Sequence, residues 1–236
     1  MFGRYEQDFT VSRNGISLAM DHASRPWAYL REGRGETVRK ILTSPDDRIV
    51  INPVEPVNLP QEITRYLEID FPPVILNPGI RKTVYLTFPV EIGVFLETPG
   101  IYTNIDVFSF VPAKFSLYGT PGAGLITRWH KSGLFEEAPS VTPLTEGIME
   151  LTLANESPGT IEISRGVFES YGMSLYYSPE HAAMKAMMSV FSPLVAETCF
   201  IREPTCGCTE RAIDLFAARK FPVVQQKSFS MEYGVA

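Results

Sequence analysis

The sequence predicts an all-β protein with the architecture of a β-sandwich. Two stretches, 66–71 and 83–88, alternate between polar and apolar residues with a period of two, the pattern of strands with one face on a core. This alternation places Glu68 and Asp70 on a solvent face. The 19 prolines and 17 glycines are spread along the 236 residues, as expected where many short strands need many turns. Helical periodicity is nearly absent, so we expect packing of sheet on sheet.

The chain is long enough for one large all-β domain or for two small ones. Residues 66–88 and 149–168 resemble each other, because each holds two alternating strands separated by a polar turn with Asn, Pro and Gly. Two stacked immunoglobulin-like units, 1–111 and 112–236, would explain this resemblance. A single enlarged jelly-roll explains the pattern equally well, and the sequence does not decide between the two.

Short strands are predicted before residue 66. Each is a run of apolar, β-branched or aromatic residues that ends at glycine, proline, asparagine or charged residues. The predicted strands in this part are Ile16–Met20, Pro26–Arg31, Val38–Leu42 and Ile49–Ile51. Pro53, Pro56 and Pro60 follow, and we expect a loop there because proline has no N–H to donate within a sheet.

The same criteria predict strands through the rest of the chain. Pro72, Pro73 and a turn at 77–79 are expected to separate strand Tyr66–Phe71 from strand Thr83–Phe88. A polar hairpin connection is expected at 155–159. The later predicted strands are Val90–Leu96, Ile105–Val111, Lys114–Tyr118, Leu125–Trp129, Ile148–Ala154, Thr160–Phe168, Met173–Tyr177, Met184–Phe191, Leu194–Ile201 and Lys227–Tyr233.

One short helix is predicted near the C-terminus, at 209–220. Thr209 is a suitable N-cap residue, and Glu210 would place a negative charge in the first turn. Lys220 would place a positive charge in the last turn, and Pro222 would end the helix.

The charge distribution argues against a nucleic-acid-binding protein. The formal net charge is −6, and residues 101–200 hold five basic side chains against ten acidic ones. No stripe of Lys and Arg is present to bind a phosphate backbone. A protein partner, or a second copy of the chain, is therefore the expected partner.

We expect a cytoplasmic protein without a transmembrane segment. Charged residues occur among the first few positions of the chain, and the apolar segment of a signal peptide is not found there. The longest uncharged run, 115–127, has 13 residues and is interrupted by Pro and Gly. A membrane-spanning helix needs about 18 or more apolar residues.

Five stretches are distinctive in their order and spacing. They are Asn52–Pro60 (NPVEPVNLP), Leu86–Leu96 (LTFPVEIGVFL), Leu117–Gly122 (LYGTPG), Glu146–Leu153 (EGIMELTL) and Tyr171–Tyr177 (YGMSLYY). Together they resemble an archaeal family known only as a domain of unknown function, over roughly residues 45–200. The resemblance implies an archaeal, cytoplasmic protein and supplies no reaction, substrate or catalytic residue.

Three consecutive residues, Arg128, Trp129 and His130, are the first candidates for a ligand contact. Arginine binds carboxylates and phosphates, tryptophan stacks on rings, and histidine titrates near neutral pH. A strand end with an inward Trp and solvated cations is the structural alternative. Glu91 is a further candidate for a ligand contact. It lies in an apolar stretch, where an acid would need a partner if buried, and we favour a structural hydrogen bond or ion pair with Arg81 or Arg128 over a catalytic role.

Cys206 and Cys208 are the candidates for a metal site. In an extended strand their side chains would share a face, so both thiolates could enter a tetrahedral shell with Cys199 as a third ligand. The fourth ligand would be His181, His130 or a carboxylate. The spacing is shorter than that of the usual zinc motifs and no second pair exists, so two ordinary thiols in a turn are favoured and no cofactor is expected.

No catalytic motif emerges from the sequence. We therefore favour a non-enzymatic β-sandwich that binds a protein partner or assembles with itself. The first alternative is a jelly-roll that binds a small ligand or glycan at Arg128, Trp129 and His130. The second is a metal- or redox-linked protein that uses its three cysteines.

Overall fold

The computed structural model describes residues 1–5, 9–21, 27–33, 35–42, 48–61, 63–215 and 228–236. Within these ranges nearly all regular structure is β-strand, and several sheets pack together, which confirms the predicted all-β fold. No helix in the described part of the chain is both long enough and apolar enough to cross a membrane.

The strands are short, and most end at turns that contain glycine, proline or asparagine. In chain order they are β1 (Gly3–Tyr5), β2 (Phe9–Arg13), β3 (Ile16–Asp21), β4 (Trp27–Gly33), β5 (Glu36–Leu42), β6 (Arg48–Val54), β7 (Tyr66–Leu76), β8 (Arg81–Pro89), β9 (Glu91–Thr98), β10 (Ile101–Phe108), β11 (Phe115–Tyr118), β12 (Leu125–Lys131), β13 (Glu146–Asn155), β14 (Ile161–Glu169), β15 (Tyr176–Tyr177), β16 (Ala182–Val190), β17 (Ala196–Ile201), β18 (Glu210–Arg211) and β19 (Phe229–Met231). Each predicted strand overlaps one of these, while β1, β2 and β18 were not predicted. Pro26 and Lys227, the first residues of two predicted strands, lie outside the described residues.

Four sheets are formed. The first sandwich sheet has the order β11-β12-β7-β14, and the second has the order β18-β15-β16-β13-β8, with β17 and β19 continuing from β16. A third sheet, which we call the N-terminal sheet, has the order β1-β6-β9-β10. The fourth is the meander β2-β3-β4-β5.

In each of the two predicted strand pairs, 66–88 and 149–168, the chain crosses from one sandwich sheet to the other. We call these two connections the crossings. β7 pairs with β14 and β8 pairs with β13, so the hairpin predicted at 155–159 is wrong. The crossings are bonded to each other: the N–H of Gly79 donates to the carbonyl of Asn155, and the N–H of Asn155 donates to the carbonyl of Ile80. Alternation along each strand gives it an apolar face but does not say which strand lies beside it.

Pro72 and Pro73 do not end a strand, contrary to the prediction. β7 continues through them to Leu76, and its register with β14 shifts at this point, from Asp70↔Arg165 to Val74↔Ile163. The prolines therefore lie in a β-bulge, where no ladder partner requires their missing N–H. Pro53 likewise lies within β6, beyond the residues that pair with β1.

A single large hydrophobic cluster includes buried residues from all four sheets. The sandwich contributes alternate residues such as Leu67 and Ile69 of β7 and Leu86 of β8, each fully buried. Burial of apolar surface on this scale is the main stabilising contribution to such a fold. Strand pairing joins β7 to β12 and β8 to β13, across position 111, and the division into units 1–111 and 112–236 stays a prediction.

The helix predicted at 209–220 is wrong in its described part. Glu210–Arg211 form β18, which pairs with β15, and the N–H of Ala212 donates to the carbonyl of Leu175. Leu215 is buried against Val50 of the N-terminal sheet, so its apolar character reflects contact with a sheet. Residues 216–220 lie outside the described residues.

Candidate functional site

The predicted ligand residues on β12 point to two faces of the first sandwich sheet. β12 runs parallel to β7, with Arg128 beside Leu67 and Trp129 beside Glu68. Arg128 and His130 therefore share the face of the buried Leu67, while Trp129 lies on the opposite face. The structure brings Arg128 and His130 together, and it separates both from Trp129.

Arg128 and Glu91 lie in the same buried region, although they belong to different sheets. Arg128 is 2% exposed, and its Nε and Nη1 atoms have no hydrogen-bond partner among the described residues. Burial lowers the pKa of Arg128, and the charge of Glu91 opposes this shift. Glu91 is fully buried, and Arg128, one of the two partners considered for it, is close enough to act on it electrostatically.

The carboxyl group of Glu91 is held by the loop that follows β6. Its Oε2 accepts a hydrogen bond of 2.9 Å from the N–H of Asn58, while its Oε1 is buried without a partner among the described residues. Burial raises the pKa of Glu91 to about 7, against the opposing influence of the Asn58 N–H and of Arg128. Glu91 is thus an acid whose proton can leave near neutral pH.

His130 lies between this region and β8. Its Nε2 is 2.9 Å from the hydroxyl of Thr87, and the N–H of Thr87 donates to the hydroxyl of Ser132. Burial, together with the positive charges of Arg128 and Lys114, lowers the pKa of His130 to about 4. The imidazole is therefore neutral at physiological pH, which suits a hydrogen-bonded structural histidine.

Trp129 belongs to a polar network on the outer face of the first sandwich sheet. Its Nε1 donates to Asp70 over 2.8 Å, and Arg165 forms ion pairs of 3.2 Å with Asp70 and with Glu68. Glu68 is 2% exposed and accepts a hydrogen bond from Thr127, so its predicted position on a solvent face is wrong. Because these side chains are paired with one another and covered by neighbouring residues, this face of β7 is a packed polar layer.

A further cavity lies elsewhere in the described part of the chain, and no pattern in the sequence predicted it. It has a volume of about 530 Å³ and is a cleft between the N-terminal sheet and the segment 210–214. The sheet contributes Arg4, Val50, Gly100, Ile101 and Tyr102, and the opposite side consists of Tyr177, Glu210, Arg211, Ala212, Ile213 and Asp214. We call this feature the tyrosine cleft.

Hydrogen bonds fix both tyrosines of the tyrosine cleft. The hydroxyl of Tyr102 donates to Glu97 over 2.8 Å, and the hydroxyl of Tyr177 donates to Glu210 over 3.4 Å. The pKa of Tyr102 is raised by its bond to Glu97, and the pKa of Tyr177 is raised by burial. Both hydroxyl groups therefore remain protonated, and the tyrosines supply neutral, polar walls.

Behind the tyrosine cleft, Asp214 is hydrogen-bonded to Glu55. Glu55 is 2% exposed, and burial followed by the charge of Asp214 raises its pKa well above the usual value. Two carboxyl groups in contact cannot easily both ionise, so this contact favours the protonated form of Glu55. The carboxyl group of Asp214 is thus hydrogen-bonded to a residue that is not part of the lining of the cleft.

The three cysteines are placed in two different settings. Cys206 and Gly207 have positive φ angles of 51° and 73°, within a tight turn closed by a 2.9 Å hydrogen bond from Cys208 to Thr205. The extended conformation assumed for a metal-binding pair is therefore not formed. Cys199 lies on β17, opposite Met187. Among the described residues, no group of three or more His, Cys, Asp or Glu side chains is arranged to hold a metal ion.

The comparison with protein families covers nearly the whole chain. A model for a protein of unknown function, DUF432, matches residues 1–232. The chain belongs to the DUF432 family. The match confirms the resemblance seen over 45–200 and extends it to the N-terminal meander and the C-terminal tail. No curated protein and no solved structure matches the chain.

One surface of this DUF432 chain exposes apolar side chains, and the charged group that lies against it, the guanidinium of Arg128, is buried, 5.9 Å from the Phe115 ring. Phe115 and Leu117 of β11, with Ile126 of β12, are 40%, 43% and 52% exposed. They share one face, because Leu117 pairs with Ile126 and Phe115 lies two residues before Leu117. We call these three residues the β11 face. The sequence already contained this signal, since residues 115–127 are its longest uncharged run.

Two features of the DUF432 chain were missed for identifiable reasons. The separation of Trp129 from Arg128 and His130 follows from strand alternation, a rule that applies to any predicted strand. The tyrosine cleft was not foreseen because 209–220 was assigned to a helix, which hid the contact of Ile213 and its neighbours with the N-terminal sheet.

Proposed function

We propose that this DUF432 chain is a non-enzymatic assembly module, a β-sandwich that binds a second copy of itself through β11. The observation that supports this most is an edge strand with an exposed apolar face and no charged residue. β11 pairs with β12 on one side and, among the described residues, with no strand on the other. An unprotected edge of this kind is a template for pairing with another chain.

Most other edge strands of the described sheets carry charged residues that discourage such pairing, and β19, which carries none, has only three residues and is followed by Glu232. β5 contains Arg39 and Lys40, β14 contains the exposed Glu162, and β18 consists of Glu210 and Arg211. Charged side chains on an edge oppose its pairing with a further strand. β11 and the turn after it contain none, which favours it as the site of assembly.

The identity of the partner follows from charge and symmetry. Residues 101–200 carry an excess of acidic side chains, but none of them lies between 115 and 127, so two copies can meet there without like charges facing. Antiparallel pairing about a two-fold axis at Ser116 would place Phe115 opposite the partner's Leu117, on the same face. Such a contact would cover exposed apolar side chains in both copies at once.

Analytical ultracentrifugation over a range of protein concentrations tests this proposal. We expect the unaltered chain to form a dimer and Leu117→Lys to shift it to monomer, since the substitution places a charge on the edge strand. The matched control is Ile75→Lys, which changes an isoleucine that is 67% exposed on β7 and should leave the dimer intact.

Two outcomes would overturn the proposal. One is a chain that sediments as a monomer at every concentration. The other is a dimer that Leu117→Lys and Ile75→Lys weaken equally, because the contact would then lie elsewhere. Circular dichroism of both variants checks that each retains the β-sheet fold.

A further inference from the structure

We infer that the tyrosine cleft binds a small organic anion, a carboxylate or phosphate group attached to a ring of monosaccharide size. This site is separate from the β11 face and does not depend on assembly. The volume of about 530 Å³ lies within the range of small-molecule sites, about 300 to 1,000 Å³. Such sites combine an apolar or aromatic lining with a few polar groups that orient the ligand.

The lining supplies surfaces against which a ring can pack. Val50 and Ile213 provide aliphatic side chains, and Tyr102 and Tyr177 provide aromatic ones. The two tyrosines and Arg4 act on one another electrostatically, which places them around the same space. Tyrosine is well suited to this role, because its ring offers apolar contact and its hydroxyl accepts a hydrogen bond.

The charges of the cleft determine the sign of the ligand. Glu210 accepts a hydrogen bond from the Tyr177 hydroxyl, and Asp214 is hydrogen-bonded to Glu55, so both acidic side chains already have partners within the protein. Arg4 reaches Glu97 only at 3.7 Å and is 64% exposed. Arg211 has neither an ion pair nor a side-chain hydrogen bond with any described residue.

Arg211 is therefore the group that selects the anion. Its guanidinium carries hydrogen-bond donors in a planar fork, which matches the two oxygens of a carboxylate or phosphate. Arg211 also lines a second cavity of about 10 Å³, with Glu55 and Asp214, so it lies where the cleft meets the buried carboxyl pair. A ligand whose anionic group binds Arg211 and whose ring packs against Tyr102 and Tyr177 would therefore contact both the guanidinium and the aromatic lining of the cleft.

Isothermal titration calorimetry with four probes tests the inference. The probes are D-glucuronate, D-glucose 6-phosphate, D-glucose and inorganic phosphate. We expect at least one of the two ring-bearing anions to bind about tenfold more tightly than D-glucose and than inorganic phosphate. Binding of D-glucuronate would identify the anionic group as a carboxylate, and binding of D-glucose 6-phosphate would identify it as a phosphate.

Two variants locate the binding. Arg211→Ala should weaken binding of the ring-bearing anion about tenfold or more, and Arg211→Glu should abolish it. The matched control, Arg39→Ala, removes an exposed arginine of β5 outside the cleft and should bind as the unaltered chain does. Thermal unfolding curves check that the variants remain folded.

Several results would overturn the inference. One is the absence of saturable binding for all four probes up to about 10 mM, and another is equal binding of D-glucose and the anions. Binding of inorganic phosphate as tight as that of the ring-bearing anions would indicate an adventitious ion only. Equal loss of affinity in Arg211→Ala and Arg39→Ala would also place the binding outside the tyrosine cleft.

Discussion

Glu91 and Arg128 are both buried, and the charge of each favours the charged form of the other, yet no hydrogen bond joins them. Oε1 of Glu91 and both Nε and Nη1 of Arg128 are left without partners among the described residues. Because a full ion pair is not formed, burial outweighs attraction, and the pKa of Glu91 rises to about 7. This relationship makes the stability of the fold depend on pH.

Glu91→Gln should remove one pH dependence of the free energy of unfolding. The folded-state pKa of about 7 exceeds the unfolded value of 4.5, so Glu91 stabilises the fold below pH 4.5 and this stabilisation is lost as pH rises through 7. A shift of this size corresponds to about 3 kcal/mol. Glutamine does not ionise, so the stability of the variant relative to the unaltered chain should increase by about that amount between pH 4.5 and 7.

Urea denaturation at a series of pH values measures this difference. Glu162→Gln is the matched control, since Glu162 is exposed on β14 and its replacement should change the free energy of unfolding by about 0.5 kcal/mol or less. A difference for Glu91→Gln that stays constant from pH 4.5 to 7 would contradict the assignment of a raised pKa.

His130→Gln should have the opposite pH dependence. The pKa of His130 is about 4 in the folded state and 6.5 when unfolded, so its contribution is present above 6.5 and is lost as pH falls through 4. The variant should therefore gain stability relative to the unaltered chain as pH decreases over this interval. His181→Gln, which alters a histidine on another part of the surface, serves as the comparison. A difference with the same slope as that of Glu91→Gln would contradict this prediction.

Between pH 4.5 and 6.5 these two residues compensate for each other. The folded chain holds a proton on Glu91 and none on His130, whereas the unfolded chain holds one on His130 and none on Glu91. The number of protons bound by the pair is the same in both states, so the pair alone contributes no slope. Only the single variants reveal the two opposing effects.

The sequence was sufficient to predict most strands because a period of two is a local property. It was not sufficient to predict which strands pair, since β7 and β8 are joined by a short turn yet lie in different sheets. Pro72 and Pro73 were misjudged for a related reason, because only the register with β14 shows that they occupy a bulge. Pairing and register depend on distant residues, which alternation along one strand does not encode.

The candidate site was predicted only in part, and for the same reason. The apolar neighbours of Glu91 in the sequence indicated that this acid would need a partner if it were buried, and the structure buries it. The tyrosine cleft joins Arg4, Tyr102, Tyr177 and Arg211, which are far apart in the chain and belong to no common motif. The cleft forms because the segment after β18 packs against the N-terminal sheet. The prediction of a helix at 209–220 did not include this contact.

The thiols should react slowly in the folded chain. Burial raises the pKa of Cys199, Cys206 and Cys208, so the reactive thiolate is scarce at pH 7. We expect slow reaction of all three with a disulfide reagent such as DTNB in buffer, and rapid reaction of all three in urea. Rapid reaction of any single thiol before unfolding would contradict this expectation.

Asn155→Ala should destabilise the fold strongly, because this side chain joins the two crossings between the sandwich sheets. Asn155 is 1% exposed, and its Nδ2 donates hydrogen bonds of 2.8 Å to the carbonyls of Leu76 and Gly159. Its Oδ1 accepts from the N–H and the hydroxyl of Ser157. Alanine would leave several buried polar groups unsatisfied, at a cost of about 3 kcal/mol in the free energy of unfolding.

The matched control for this substitution is Thr160→Ala. Thr160 lies in the same crossing but is exposed, and its hydroxyl makes one hydrogen bond of 3.0 Å, to Asn77. Its replacement should change the free energy of unfolding by about 0.5 kcal/mol or less. Urea denaturation of both variants distinguishes the cases: equal effects would show that the crossings are held by their backbone hydrogen bonds and not by the side chain of Asn155.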